Sequence, residues 1–86
     1  MKAVRLTEIS KPLQVQEVSL SRLGENEVLV HIKAAGICHS DVHYRAGTSP
    51  VSPLPQTLGH ELAGIVEEIG SQVTTRKIGE RVCIHY

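Results

Sequence analysis

The sequence has no tryptophan or phenylalanine and only two tyrosines, so stacked rings cannot build its core. Packing falls to Val, Ile, Leu and Ala within a hydrophobic fraction of 41%, and several of these are β-branched strand formers. Net charge is absent too. Nine basic and nine acidic residues cancel, which leaves no electrostatic footprint for nucleic acid or an anionic membrane surface, so neither partner is expected. Nor is there a long apolar run. Met1-Lys2-Ala3-Val4-Arg5-Leu6 alternates charged with apolar side chains, whereas a signal peptide needs an unbroken apolar stretch and a membrane span about 20 apolar residues. Cysteine is scarce, with Cys38 and Cys83 and no C-x-x-C pair, which fits a reducing, cytoplasmic setting better than a disulfide framework. Each thiol is then core filler or a metal ligand. A G-x-G-x-x-G fingerprint is missing as well. The 86 residues suffice for one small domain, which at this size buries about 60–65% of the surface its unfolded chain exposes.

What is present reads as strands. Period-two alternation marks residues 1–6 and again Leu13-Gln14-Val15-Gln16-Glu17-Val18, with Lys11-Pro12 as the turn between them. Residues 27–35 show the clearest pattern, Val28, Val30, Ile32 and Ala34 on one face and Leu29, His31 and Lys33 on the other, and predict a central strand. Residues 40–45 read as a short helix with His39 or Ser40 near its N-cap and Gly47 closing it. Pro50, Pro53 and Pro55 make residues 48–55 a loop. Residues 62–69 and 81–86 resume strand character, the second behind the turn Lys77-Ile78-Gly79-Glu80. The fold class expected is mainly β, a partly open β-barrel with one short helix, its last strand cut at the C-terminus.

Chemistry-bearing residues fall in two clusters, Cys38-His39-Ser40-Asp41-Val42-His43 and Gly59-His60-Glu61, both at element ends or loops. Thiolate, imidazole and carboxylate are the donors zinc takes, and a catalytic zinc keeps three protein ligands and one open position. Cys38, His60 and Glu61 supply that donor set. Cys38 precedes a helix start, where backbone dipoles favour an anion. Taken singly the same residues have plainer readings. Cys38 after an apolar strand is buried filler, His60-Glu61 is a solvated polar pair, and residues 39–43 are a capped helix start. His31, His85 and Cys83 lie in strands and are assigned to packing or surface.

The two clusters together resemble the zinc-binding core of medium-chain, zinc-dependent alcohol dehydrogenases. Gly59, His60, Glu61, Gly64, Gly70 and Val73 meet that family's G-H-E-x2-G-x5-G-x2-V signature, and Gly79-Glu80-Arg81-Val82 resembles its G-D-R-V turn and strand. The resemblance spans the chain. It implies a GroES-like fold over residues 1–86 as the N-terminal portion of the catalytic domain, truncated before a four-cysteine zinc lobe, a second cysteine ligand and a Rossmann nucleotide-binding domain. It implies zinc held by Cys38 and His60, with Glu61 able to approach the metal and Asp41 orienting His60. Ser40 and His43 are implied as the catalytic proton relay, the hydroxyl passing the alcohol proton by way of the cofactor ribose to the imidazole, and His39 as a contact to the cofactor pyrophosphate. The implied enzyme is a cytoplasmic homo-oligomer that moves hydride between a small alcohol or aldehyde and NAD or NADP, and this chain alone is expected to be inactive. Two other readings stand beside it, a zinc-free quinone or enoyl reductase and a stand-alone GroES-like binding module. Cys38 with His60-Glu61 speaks against the first, and Cys38-x-Ser40-x-x-His43 has no use in the second.

Overall fold

Alternating side chains near the start of the chain become β1 (Lys2–Leu6), which pairs antiparallel with β2 (Gln14–Glu17) through Val4 opposite Val15 and Arg5 opposite Gln14. The computed structural model describes residues 1–85. They divide into two compact units, one of Met1–Leu20 with Ile37–Gly59 and the other of Ser21–Gly36 with the residues from His60 onward.

In the first unit, β3 (Gln56–Thr57) adds to the free side of β1, with Leu6 opposite Gln56, and completes a three-stranded sheet with β1 in the middle. This strand was not expected from the sequence, because two residues behind Pro53 and Pro55 carry no readable alternation. Leu6 is fully buried. The unit's helix, α1 (His39–Ala46), begins at an extended Cys38 and ends at Gly47 in the left-handed region, φ 80°. Cys38 thus takes the N-cap position, one residue before the expected His39 or Ser40. Thiols are weak acceptors and poor caps, and Asp41 compensates by accepting the Cys38 backbone N–H on Oδ2 at 3.1 Å. The helix leaves carbonyls without intrahelical partners at its C-terminal end. Ser10 donates its backbone N–H to the Arg45 carbonyl at 2.7 Å and its hydroxyl to the Ala46 carbonyl at 3.4 Å, while Arg45 Nε donates to the Lys11 carbonyl at 3.0 Å.

The second unit is the sheet of β4 (Val28–Gly36), β5 (Glu61–Ile69) and β6 (Arg81–Ile84), paired antiparallel in the order β4-β5-β6. Its most buried side chain is Val66, 1% exposed. The expectation of a central strand over residues 27–35 is corrected: among the described residues β4 lies at the sheet edge and β5 occupies the middle. Alternation reports a covered face and carries no information about how many neighbours a strand has. Two register shifts, between Leu29 and Val30 and between Ile32 and Ala34, also break the expected face, so Leu29 and Val30 are both half-buried. The turn before β6 is as expected, with Glu80 N–H donating to the Lys77 carbonyl and Lys77 N–H to Glu80 Oε2, each at 3.1 Å. The expected last strand ends at Ile84, and Tyr86 lies outside the described residues. The class is mainly β, two open sheets and one short helix, and no described helix is long and apolar enough to cross a membrane.

Candidate metal centre

Cys38 is half-buried, and its extended backbone turns directly into α1. The Asp41 carboxylate, accepting from the Cys38 N–H, ties the first turn of the helix to the residue that carries the thiol. The thiol therefore sits on a braced backbone immediately before the helix N-terminus. Ser40, Asp41 and His43 are half-buried and His39 is exposed. Ser40 and His43 stand three apart in α1 and are neighbours on its surface. The His39 and His43 rings meet edge to face, centroids 4.7 Å apart and planes perpendicular.

The segment leading to His60 is anchored in the first unit. β3 is hydrogen-bonded to β1, and Arg5 Nη2 donates to the Pro55 carbonyl at 2.8 Å just before it. Gly59, at φ 123°, turns the chain into His60, which is half-buried. Glu61 then opens β5 opposite Gly36, the last residue of β4. A Cβ built on Gly36 would run into the Glu61 carboxylate. The bare glycine is what lets that carboxylate lie back over the strand end, beside an open pocket of about 480 Å³ that Gly36, Leu62 and Cys83 also line. Sequence reasoning missed Gly36, and the signal available was only its place at the end of the alternation.

The chain passes from the second unit to the first after Gly36 and returns at His60. Because Gly36 pairs with Glu61, exit and return lie at one end of the same strand ladder. Two trans peptide links hold the Cys38 Cα within about 7–8 Å of the Gly36 Cα, and one link joins His60 to Glu61. Connectivity alone thus keeps the backbones of Cys38, His60 and Glu61 within two residues along the chain of one ladder rung. His31 is exposed on β4 opposite Ile65 and Cys83 is exposed on β6 opposite Ala63, whereas His85, expected in a strand, is exposed past the end of β6.

A family model described as the alcohol dehydrogenase GroES-like domain matches residues 24–86. An alcohol dehydrogenase of Geobacillus stearothermophilus is 49% identical over 85 residues, 98% of this chain and 25% of that protein. An NAD-dependent alcohol dehydrogenase of Saccharolobus solfataricus is 43% identical over 93 aligned residues, 99% of this chain and 27% of that protein. Among solved structures, a quinone oxidoreductase of Pseudomonas syringae superposes with a TM-score of 0.89 at 33% identity, over 99% of this chain and 27% of its own. The chain spans about a quarter of the length of the curated relatives it matches. With most of its residues inside the family model and both sheets shared with solved relatives, this chain belongs to the alcohol dehydrogenase GroES-like domain family.

Proposed function

We propose that this chain supplies the metal-binding and proton-handling residues of a zinc-dependent alcohol dehydrogenase, which moves hydride between a small alcohol or aldehyde and NAD or NADP. The observation that carries the reading is the ladder rung Gly36–Glu61, with Cys38 two residues past one side and His60 next to the other. The donors fit zinc: a thiolate favoured by a helix start, an imidazole, and a carboxylate given room by a glycine. Zinc bound there would act as a Lewis acid on the alcohol oxygen. The chain's own residues do the rest. Asp41 holds the Cys38 backbone, and its carboxylate would orient a metal-bound His60 ring. Beside a bound dinucleotide, Ser40 Oγ would accept the alcohol proton and His43 would release a proton to solvent. His39 offers a donor to the cofactor pyrophosphate.

In this proposal residues 1–86 are the N-terminal part of the catalytic domain of a cytoplasmic homo-oligomer, and a separate Rossmann domain holds the dinucleotide. The chain alone does not turn over alcohol, because nothing in it positions the nicotinamide beside the metal. The zinc-free reductase reading shares the fold and leaves Cys38, His60 and Glu61 without a task. Competition for zinc against a chromophoric chelator tests the assignment on the full chain. Cys38→Ser and His60→Ala should each weaken zinc binding by about tenfold or more. Unchanged affinity in both variants would show that the metal residues have been placed wrongly.

A further inference from the structure

We propose that His39 and His43 form a second cation site on α1, a bidentate imidazole pair for a divalent cation of the copper, nickel and zinc type, separate from the Cys38–His60 donors. The two residues stand four apart on one helix, so their side chains project from the same face one turn from each other. No residue of α1 is fully buried, and His39 is exposed, so the pair is open to solvent ions. The rings already meet, centroids 4.7 Å apart. A metal–nitrogen bond of about 2.0–2.1 Å puts a bound ion about 3.2 Å from each ring centre, and centroids at the observed spacing would then subtend about 95° at the ion. That is close to the right angle between neighbouring ligands of octahedral nickel or tetragonal copper.

A cation on this pair would compete with the relay and pyrophosphate roles proposed above for His43 and His39. The other charged groups of α1 are engaged elsewhere: the Asp41 carboxylate with the Cys38 N–H and Arg45 Nε with the Lys11 carbonyl. Imidazole suits copper, nickel and zinc, and the affinity order for such donors places Cu²⁺ highest. Two ligands on one rigid helix bind as a chelate because the second imidazole is presented at high effective concentration once the first has bound.

The test uses the full chain carrying Cys38→Ser and His60→Ala, which removes the donors of the proposed catalytic centre and makes the result independent of it. Ni²⁺ titrated calorimetrically should bind at one equivalent, and adding either His39→Gln or His43→Gln should weaken it about tenfold or more. Circular dichroism of each metal-free variant checks that α1 persists. In the same Cys38→Ser, His60→Ala background, the Cu²⁺ paramagnetic resonance spectrum should show coupling to two imidazole nitrogens and lose one on His39→Gln. Equal Ni²⁺ affinity with and without His39, or a copper spectrum indifferent to that substitution, would overturn the proposal.

Discussion

Gly36 and Gly64 face each other's strands in one ladder, yet each lacks a side chain for a different reason. A Cβ at Gly64 would strike the His31 carbonyl oxygen and lie 2.7 Å from Val30 Cγ1 and 3.0 Å from the His31 carbonyl carbon. The first of these is backbone, so β4 itself would have to move away. Gly64→Ala should therefore cost about 1–3 kcal/mol, as overpacking does, seen as a melting temperature lower by several degrees. At Gly36 the obstacle is the mobile end of Glu61. Gly36→Ala should leave the melting temperature much closer to that of the unsubstituted chain while displacing the carboxylate and altering zinc exchange with a chelator. Equal losses of stability in the two variants would contradict the distinction. Ser40 poses a chemical question. In the full-length enzyme Ser40→Ala should lower alcohol oxidation by about 10²–10⁴-fold at unchanged zinc content, and His43→Gln should do less because water can replace the end of a relay. Normal turnover by a merely destabilised Ser40→Ala enzyme would remove the support for that role.

The helix that carries these residues has one weak point, its first turn. Cys38 caps poorly, and the carboxylate of Asp41 makes the backbone contact that holds the start of α1. Asp41→Ala should cost about 0.5–2 kcal/mol, the usual range for a lost cap, and also weaken zinc binding by about 10–100-fold if the carboxylate orients His60. Thermal melts and chelator competition on one sample separate the two effects, and a stability loss with no change in zinc affinity would leave Asp41 a cap alone. Much of this element was legible in the sequence, since Gly47 and the polar run of residues 39–43 mark a short helix. The cap was not, because residue preferences point to Ser or His and not to a thiol. Strands followed the same division. β1, β2, β4, β5 and β6 announce themselves by alternation or apolar character, whereas β3 is defined only by its partner, Arg5-Leu6 of β1. Of the site, Cys38, His60 and Glu61 were visible as residue types near element ends. The rung that gathers them was invisible, since pairing register is a property of two strands and not of either one.

Across the molecule, burial is thin and unevenly shared. Among the described residues Leu6 and Val66 are the buried hydrophobic side chains, one in each unit, while Ile37, Val15 and Ile78 are 91%, 67% and 65% exposed. A chain of this length has a total stability of about 4–13 kcal/mol at typical values per residue. Leu6→Ala, at about 2–5 kcal/mol, would remove a large part of it, and denaturant unfolding should show a much lower midpoint in that variant. A midpoint shift too small to measure would show that the first unit does not depend on Leu6. The Gly36–Glu61 rung bears on the metal in a further way. A cross-link stabilises a fold by closing a loop that the unfolded chain would otherwise leave open. In the folded chain the excursion Ile37–Gly59 is already closed at its base by β4 and β5. A zinc ion held by Cys38 and His60, as proposed above, would fasten the neck of a loop whose ends are already together. Its removal should release local order at that neck, read as faster amide exchange near Cys38 and His60, while the β4-β5-β6 ladder keeps its protection. Collapse of that ladder on chelation would mean that the ion works as a girder, and that the hairpin cannot hold its own ends shut.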